Sequence, residues 1–156
     1  MIDLEQALQD QFDPNGICFG CGPANQKGLR IKSHVEGDYV VLRYTPKEHH
    51  QAFKGAINGG ILGCLFDCHC NWTGAYSLYK MHPEDEFPST VTASFDVKLK
   101  RPTPYGVELL IKAKAVEISG NRVTVEAEMF ADDKLTATCT GVFVAVKEGH
   151  MAYRRW

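Results

Sequence analysis

The chain has no excess of basic charge. Its 17 lysines and arginines are outweighed by 19 aspartates and glutamates, giving a formal charge of −2 and a pI near 6.3. That argues against a general nucleic-acid binder, which would carry a basic face. Met1-Ile2-Asp3-Leu4-Glu5 lacks the positive n-region and apolar core of a secretory signal, so the six cysteines are expected as reduced thiols in a cytoplasm. Repeats, linkers and low-complexity segments are absent, and 156 residues read as one domain (1–156) able to bury close to ~70% of its unfolded surface. Charge is also nearly missing between Asn58 and Tyr79, a 22-residue run whose one formal charge is Asp67.

That run is long enough for a bilayer. Asp67, His69, Asn71 and four glycines within it, without basic anchors at its ends, favour a helix buried in protein and no membrane association. Leu62, Cys64, Leu65, Phe66, Cys68 and Trp72 surround Asp67, so almost any helical face leaves the acid poorly hydrated. A buried, unpaired carboxylate costs several kcal/mol or takes up a proton, and is kept chiefly where it does chemistry or has a committed partner.

Leu4, Ala7, Leu8 and Phe12 predict a short amphipathic helix, ended by a turn at Asp13-Pro14-Asn15-Gly16. Leu29–Lys32 and Tyr39–Tyr44 alternate across Glu36-Gly37-Asp38 and predict a hairpin. After the buried helix, strands are expected over 91–100, 107–118, 123–130 and 135–146, an antiparallel meander of three or four long strands. A helix without a clearly polar face must be wrapped by more than one sheet, so a second subunit is expected to cover the rest. The domain divides into a helical, cysteine-containing lead-in (1–27), a core (28–147) and a C-terminal tail (148–156).

Asn58-Gly59-Gly60 opens the helix. Unpaired N–H groups there, with no side chains in the way, suit the negative charge that develops on a thioester or ester carbonyl, at about 3–4 kcal/mol of barrier per donor; the same glycines would also let the helix start close to a strand. Asp67 can serve as general base on water or attack the acyl carbon itself, or else be a structural carboxylate paired with a cation. Gly59 and Asp67 lie about 12 Å apart along the axis, too far for one carbonyl to touch both. Joint action therefore requires antiparallel helices from two chains and an obligate dimer.

His50-Gln51-Ala52-Phe53-Lys54-Gly55-Ala56-Ile57-Asn58-Gly59-Gly60-Ile61-Leu62, with Asp67 nine residues after Asn58, resembles the hot-dog-fold acyl-CoA thioesterases of the PaaI-like type. Their pattern is His-Gln-Gly-aromatic-x-Gly-x-x-His-Gly-Gly followed by an acid. Lys98-Leu99-Lys100-Arg101-Pro102 resembles the end of the family's long strand, and Cys18-Phe19-Gly20-Cys21-Gly22-Pro23-Ala24-Asn25 with Gly28-Leu29 resembles the N-terminal segment of one subgroup. The resemblance implies an α+β hot-dog fold, a long central helix wrapped by an antiparallel sheet of five or six strands. It implies Asp67 as base or nucleophile, the Gly59 N–H as oxyanion donor with Asn58 and Gly60 beside it, and the Thr92 hydroxyl holding the attacking water. It also implies His50 and Gln51 near the thioester and Asn71 as a further water-positioning group. Lys100 and Arg101 stand beside the strand that would line the acyl channel. The motif histidine is Asn58 here, which caps a helix well but cannot titrate near neutral pH; dehydratase chemistry, which needs that imidazole, is disfavoured.

Cys18-x-x-Cys21 with Cys68-His69-Cys70 invites a zinc site. Three successive helix positions point about 100° apart and cannot converge on one ion, so packed thiols and no metal are expected. Tyr153-Arg154-Arg155-Trp156 has the chemistry to clamp CoA phosphates and adenine, but reads more simply as a solvated tail, and His49-His50 as a surface loop. The expectation is a cytoplasmic thioesterase, a homodimer or homotetramer, hydrolysing an acyl-CoA to acid and CoA without a cofactor. The alternative is a hot-dog module that binds acyl-CoA or a hydrophobic acid without turnover.

Overall fold

A computed structural model describes residues 2–156. The chain runs through α1 (Leu8–Phe12), β1 (Ser33–Glu36), β2 (Tyr39–Tyr44), a 3-10 turn (Glu48–His50), β3 (Gln51–Phe53), β4 (Ala56–Ile57), α2 (Gly59–Met81), β5 (Thr90–Leu99), β6 (Leu109–Ser119), β7 (Arg122–Ala131) and β8 (Lys134–Ala145). One six-stranded antiparallel sheet, ordered β1-β2-β6-β7-β8-β5, carries α2 on one face, and β3 and β4 form a separate small hairpin before the helix. No helix is long and apolar enough to cross a membrane among the described residues.

Alternation explains the sheet. Val123, Val125, Ala127 and Met129 of β7, with Leu109, Ile111 and Ala113 of β6, point into the core against Leu62, Leu65, Phe66 and Trp72 of α2. Intervening residues such as Glu126, Glu128 and Lys114 remain in solvent.

Two expectations about the strands need correction. The first hairpin strand does not begin at Leu29, because Arg30 adopts φ +55° and breaks the extended run. Leu29 and Ile31 are buried all the same, their N–H groups donating to the carbonyls of Phe19 and Gly20 at 2.7 and 3.1 Å. The meander holds for β6–β8, but β5 pairs with β8 rather than β6, so the Pro102–Pro104 connection crosses the sheet and leaves β5 as an edge.

Candidate functional site

The helix–edge-strand contact builds the site. Residues Gly59, Gly63, Asp67 and Asn71 recur every four positions and form one stripe along α2. Along this stripe β5 runs the other way. A Cβ at Gly59 would touch Leu99 at 3.4 Å and one at Gly63 would touch Phe95 at 3.9 Å. The Thr92 Oγ1 donates to Asp67 Oδ1 at 2.6 Å and the Thr90 Oγ1 to Asn71 Oδ1 at 2.7 Å. A β-bulge between Thr92 and Ser94 makes this possible. It shifts the alternation by one residue, so that Thr90 and Thr92 face the helix before it and Phe95 and Leu99 after it.

Asp67 is half-buried, and burial pushes its carboxyl above the ordinary range. The hydrogen bond from Thr92 opposes that shift, the charge on Cys18 adds to it, and the Arg155 guanidinium also opposes it. Only Oδ1 is engaged; Oδ2 accepts no hydrogen bond among the described residues. Asn71 is committed on both sides, since its Nδ2 also donates to the Thr90 carbonyl at 3.3 Å. It fastens β5 to the helix.

At the helix start, Asn58 is the N-cap: its Oδ1 accepts from the N–H groups of Gly60 (2.8 Å) and Ile61 (3.2 Å). The Gly60 donor is therefore spent. The Gly59 N–H has no partner among the described residues. Asn58 itself is held by its N–H donating to the His50 carbonyl at 2.9 Å.

His50 differs from the surface loop that its neighbours suggest. It is buried, and its Nδ1 accepts the Lys47 N–H at 2.9 Å, closing the 3-10 turn; burial lowers its pKa. Gln51 closes the adjacent hairpin, its Oε1 accepting from the Gly55 N–H at 2.7 Å and its Nε2 donating to the Glu48 carbonyl at 2.9 Å. Both residues shape the loop that presents Asn58 and Gly59. Lys100 and Arg101 are exposed just beyond Leu99, with their backbone N–H groups donating to the Thr136 carbonyl.

The C-terminal residues are not a free tail. Trp156 stacks on buried Trp72 with ring centroids 4.1 Å apart, its Nε1 donates to the Pro88 carbonyl at 3.0 Å, and Arg155 Nη1 donates to the Thr90 carbonyl at 3.3 Å. Sequence reasoning missed Arg155 as a neighbour of Asp67; no spacing signal links residues so far apart.

A second cluster lies one residue from the acid. His69 turns away, its ring nitrogens meeting Ser33 Oγ and the Val40 carbonyl, and Cys70 adjoins Cys139. As the helical geometry requires, these two do not share a centre with Cys68. Cys68 instead meets Cys18 at 3.7 Å, and the sulfurs of Cys18, Cys21 and Cys68 all lie within 4.8 Å of one another. Cys64, one turn before Cys68, adjoins it. The four-residue spacing of Cys64 and Cys68 was the signal available in the sequence.

No family model matches the chain, and no curated protein matches it. Solved structures do. A thioesterase superfamily protein from Shewanella loihica PV-4 superposes with TM-score 0.66 at 27% identity, over 80% of this chain and 98% of that one. The PaaI protein of the E. coli phenylacetic acid degradation operon gives 0.66 at 17% identity, over 80% and 85%. The chain has the hot-dog fold of the thioesterase superfamily. A Streptococcus mutans protein of the same architecture, whose structure is bound to acetyl CoA, gives 0.61 at 15% identity over 74% and 88%.

Proposed function

We propose that the chain is an acyl-CoA thioesterase, hydrolysing the thioester to a free acid and CoA. The observation that carries this reading is the stripe itself: a half-buried carboxylate with one free oxygen, positioned by Thr92, on the same helix face as an uncommitted N–H at Gly59. Asp67 activates water or attacks the acyl carbon, and the Gly59 N–H receives the charge that develops on the carbonyl oxygen. Because these groups stand about 12 Å apart on one helix, each site combines Asp67 of one chain with Gly59 of a second. The exposed edge β5, with Phe95 (44% exposed) and Leu99 (56%) along it, supports pairing with another copy. Lys100 and Arg101 then lie where the CoA phosphates would emerge, and no cofactor takes part.

Asn58 favours one other reading. Its side-chain oxygen is consumed by capping, and it offers no titratable group at the helix start; a module that binds acyl-CoA without turning it over fits that fact. Hydrolysis of a panel of aliphatic and aromatic acyl-CoAs, with the acid product detected directly, separates the two. The thioesterase reading requires turnover by wild type and a loss of 100-fold or more in Asp67→Asn, about 2.7 kcal/mol of barrier. Binding without hydrolysis selects the module, and a monomer with full activity refutes the composite site.

A further inference from the structure

We propose that Cys18, Cys21, Cys64 and Cys68 form a tetrathiolate zinc site that ties the N-terminal lead-in to the middle of α2. Tetrahedral zinc with Zn–S bonds of about 2.3 Å sets its sulfurs about 3.8 Å apart. The Cys18 and Cys68 sulfurs are 3.7 Å apart, with Cys21 inside the same small cluster. The fourth thiol is that of Cys64, which adjoins Cys68 because residues four apart are neighbours on a helix; its sulfur lies outside the 4.8 Å triad and would close onto the ion on binding. Cys18-x-x-Cys21 and Cys64-x-x-x-Cys68 both fall within the ligand spacing that zinc sites use.

The surroundings favour thiolates over packed thiols. A Cβ at Gly20 would overlap the Cys68 sulfur and stand 2.9 Å from that of Cys64, so the loop passes directly over the sulfurs only because residue 20 is glycine. The loop closes tightly, with the Gly22 N–H donating to the Cys18 carbonyl at 2.8 Å. The indole Nε1 of Trp72 is a buried donor without a hydrogen-bond partner among the described residues. Buried donors are normally satisfied; an anionic sulfur on a metal supplies the missing acceptor. Binding displaces the protons the thiols carry and leaves a zinc–thiolate group of charge −2 beside the Trp72 donor. Four soft thiolates select zinc over the hard divalent cations.

The test uses the full chain, purified without a polyhistidine tag. Elemental analysis should find one zinc per chain, and reconstitution with Co2+ after chelation should give the intense thiolate-to-metal charge transfer and the visible bands of tetrahedral sulfur coordination. Cys64→Ser and Cys68→Ser should each lower zinc retention against a chelator by 10-fold or more, whereas Cys70→Ser, which alters the pair with Cys139, should retain the full complement. Protein that stays free of zinc after equilibration with stoichiometric Zn2+, cobalt spectra without charge-transfer bands, or equal retention in Cys68→Ser and Cys70→Ser would each overturn the proposal. So would a native disulfide between Cys18 and Cys68 found by mass spectrometry.

Discussion

Replacing Thr92 by valine keeps the shape of the side chain and removes the one hydrogen bond that the Asp67 carboxylate accepts among the described residues. That bond is short, 2.6 Å, and ends on a carboxylate that burial already disfavours in its charged form. Hydrogen bonds to charged groups contribute about 1.5–3 kcal/mol. If the reacting state of Asp67 depends on this contact, kcat/KM for an acyl-CoA falls roughly 10- to 150-fold in Thr92→Val. Thr92→Ser, which keeps the hydroxyl, stays within a few-fold of wild type. The assay is steady-state release of free acid, with thermal melting run in parallel. Because the bond also joins β5 to α2, Thr92→Val should lower the melting temperature by several degrees while Thr92→Ser stays close to wild type; measured well below both transitions, the catalytic loss should appear in kcat more than in KM. Full activity in Thr92→Val would show that this contact merely fastens the edge strand to the helix, and would remove the argument for Asp67 as a positioned base.

Gly63→Leu places a side chain between the helix and Phe95, on the stripe between Gly59 and Asp67; turnover should be lost while circular dichroism and melting temperature keep their folded values. Asn58→Ala should cost about 1 kcal/mol in urea unfolding through loss of the cap, with Asn58→Asp retaining most of it. Trp156→Ala should destabilise by about 1.5–2.5 kcal/mol, combining a stacked pair worth about 0.5–1.5 kcal/mol with a hydrogen bond worth about 1; an unchanged urea midpoint would mean that the C-terminal residues do not dock in solution. Arg101→Gln should raise KM for a CoA thioester more than it lowers kcat, and an unchanged KM removes Arg101 from the binding surface.

The long helix, the strands β6–β8 and the position of Asp67 were legible in the sequence because each rests on a local pattern: an uncharged run, strict alternation, and one misplaced acid. The register of β5 was not. A bulge at Thr92–Ser94 is an insertion into alternation that the residues Thr92-Ala93-Ser94 do not announce, and without it Ser94 rather than Phe95 would face Gly63. The sheet position of β5 was hidden as well, because the choice of β8 over β6 as neighbour is set by packing across the whole core. The start of the first hairpin strand was misread where Arg30 turns left-handed. There the chain follows the cysteine loop, to which Leu29 and Ile31 are hydrogen-bonded, and that loop's conformation depends on residues of α2 far along the sequence.

Both chain ends converge on the turn of α2 that carries the acid. Cys68 follows Asp67 directly and lies under the Cys18–Cys21 loop, while Trp72, one turn further, is covered by Trp156. Arg155 acts on Asp67 from the C-terminal side and Cys18 acts on it with the opposite sign from the N-terminal side. The central helix and sheet therefore supply the acid, but segments outside them, 18–21 and 153–156, pack against this turn of the helix, and 155–156 tie it to the start of β5. The proposed chemistry requires Asp67 and Thr92 to stay within hydrogen-bonding distance, and a slip of one residue along the helix would carry the carboxylate about 1.5 Å and turn it by about 100°. Clamps on both sides of that turn oppose this slip, so truncating either end should reduce turnover before it unfolds the sheet. A truncated chain lacking 148–156 that melts as wild type and retains full kcat would refute that role for the C-terminal clamp.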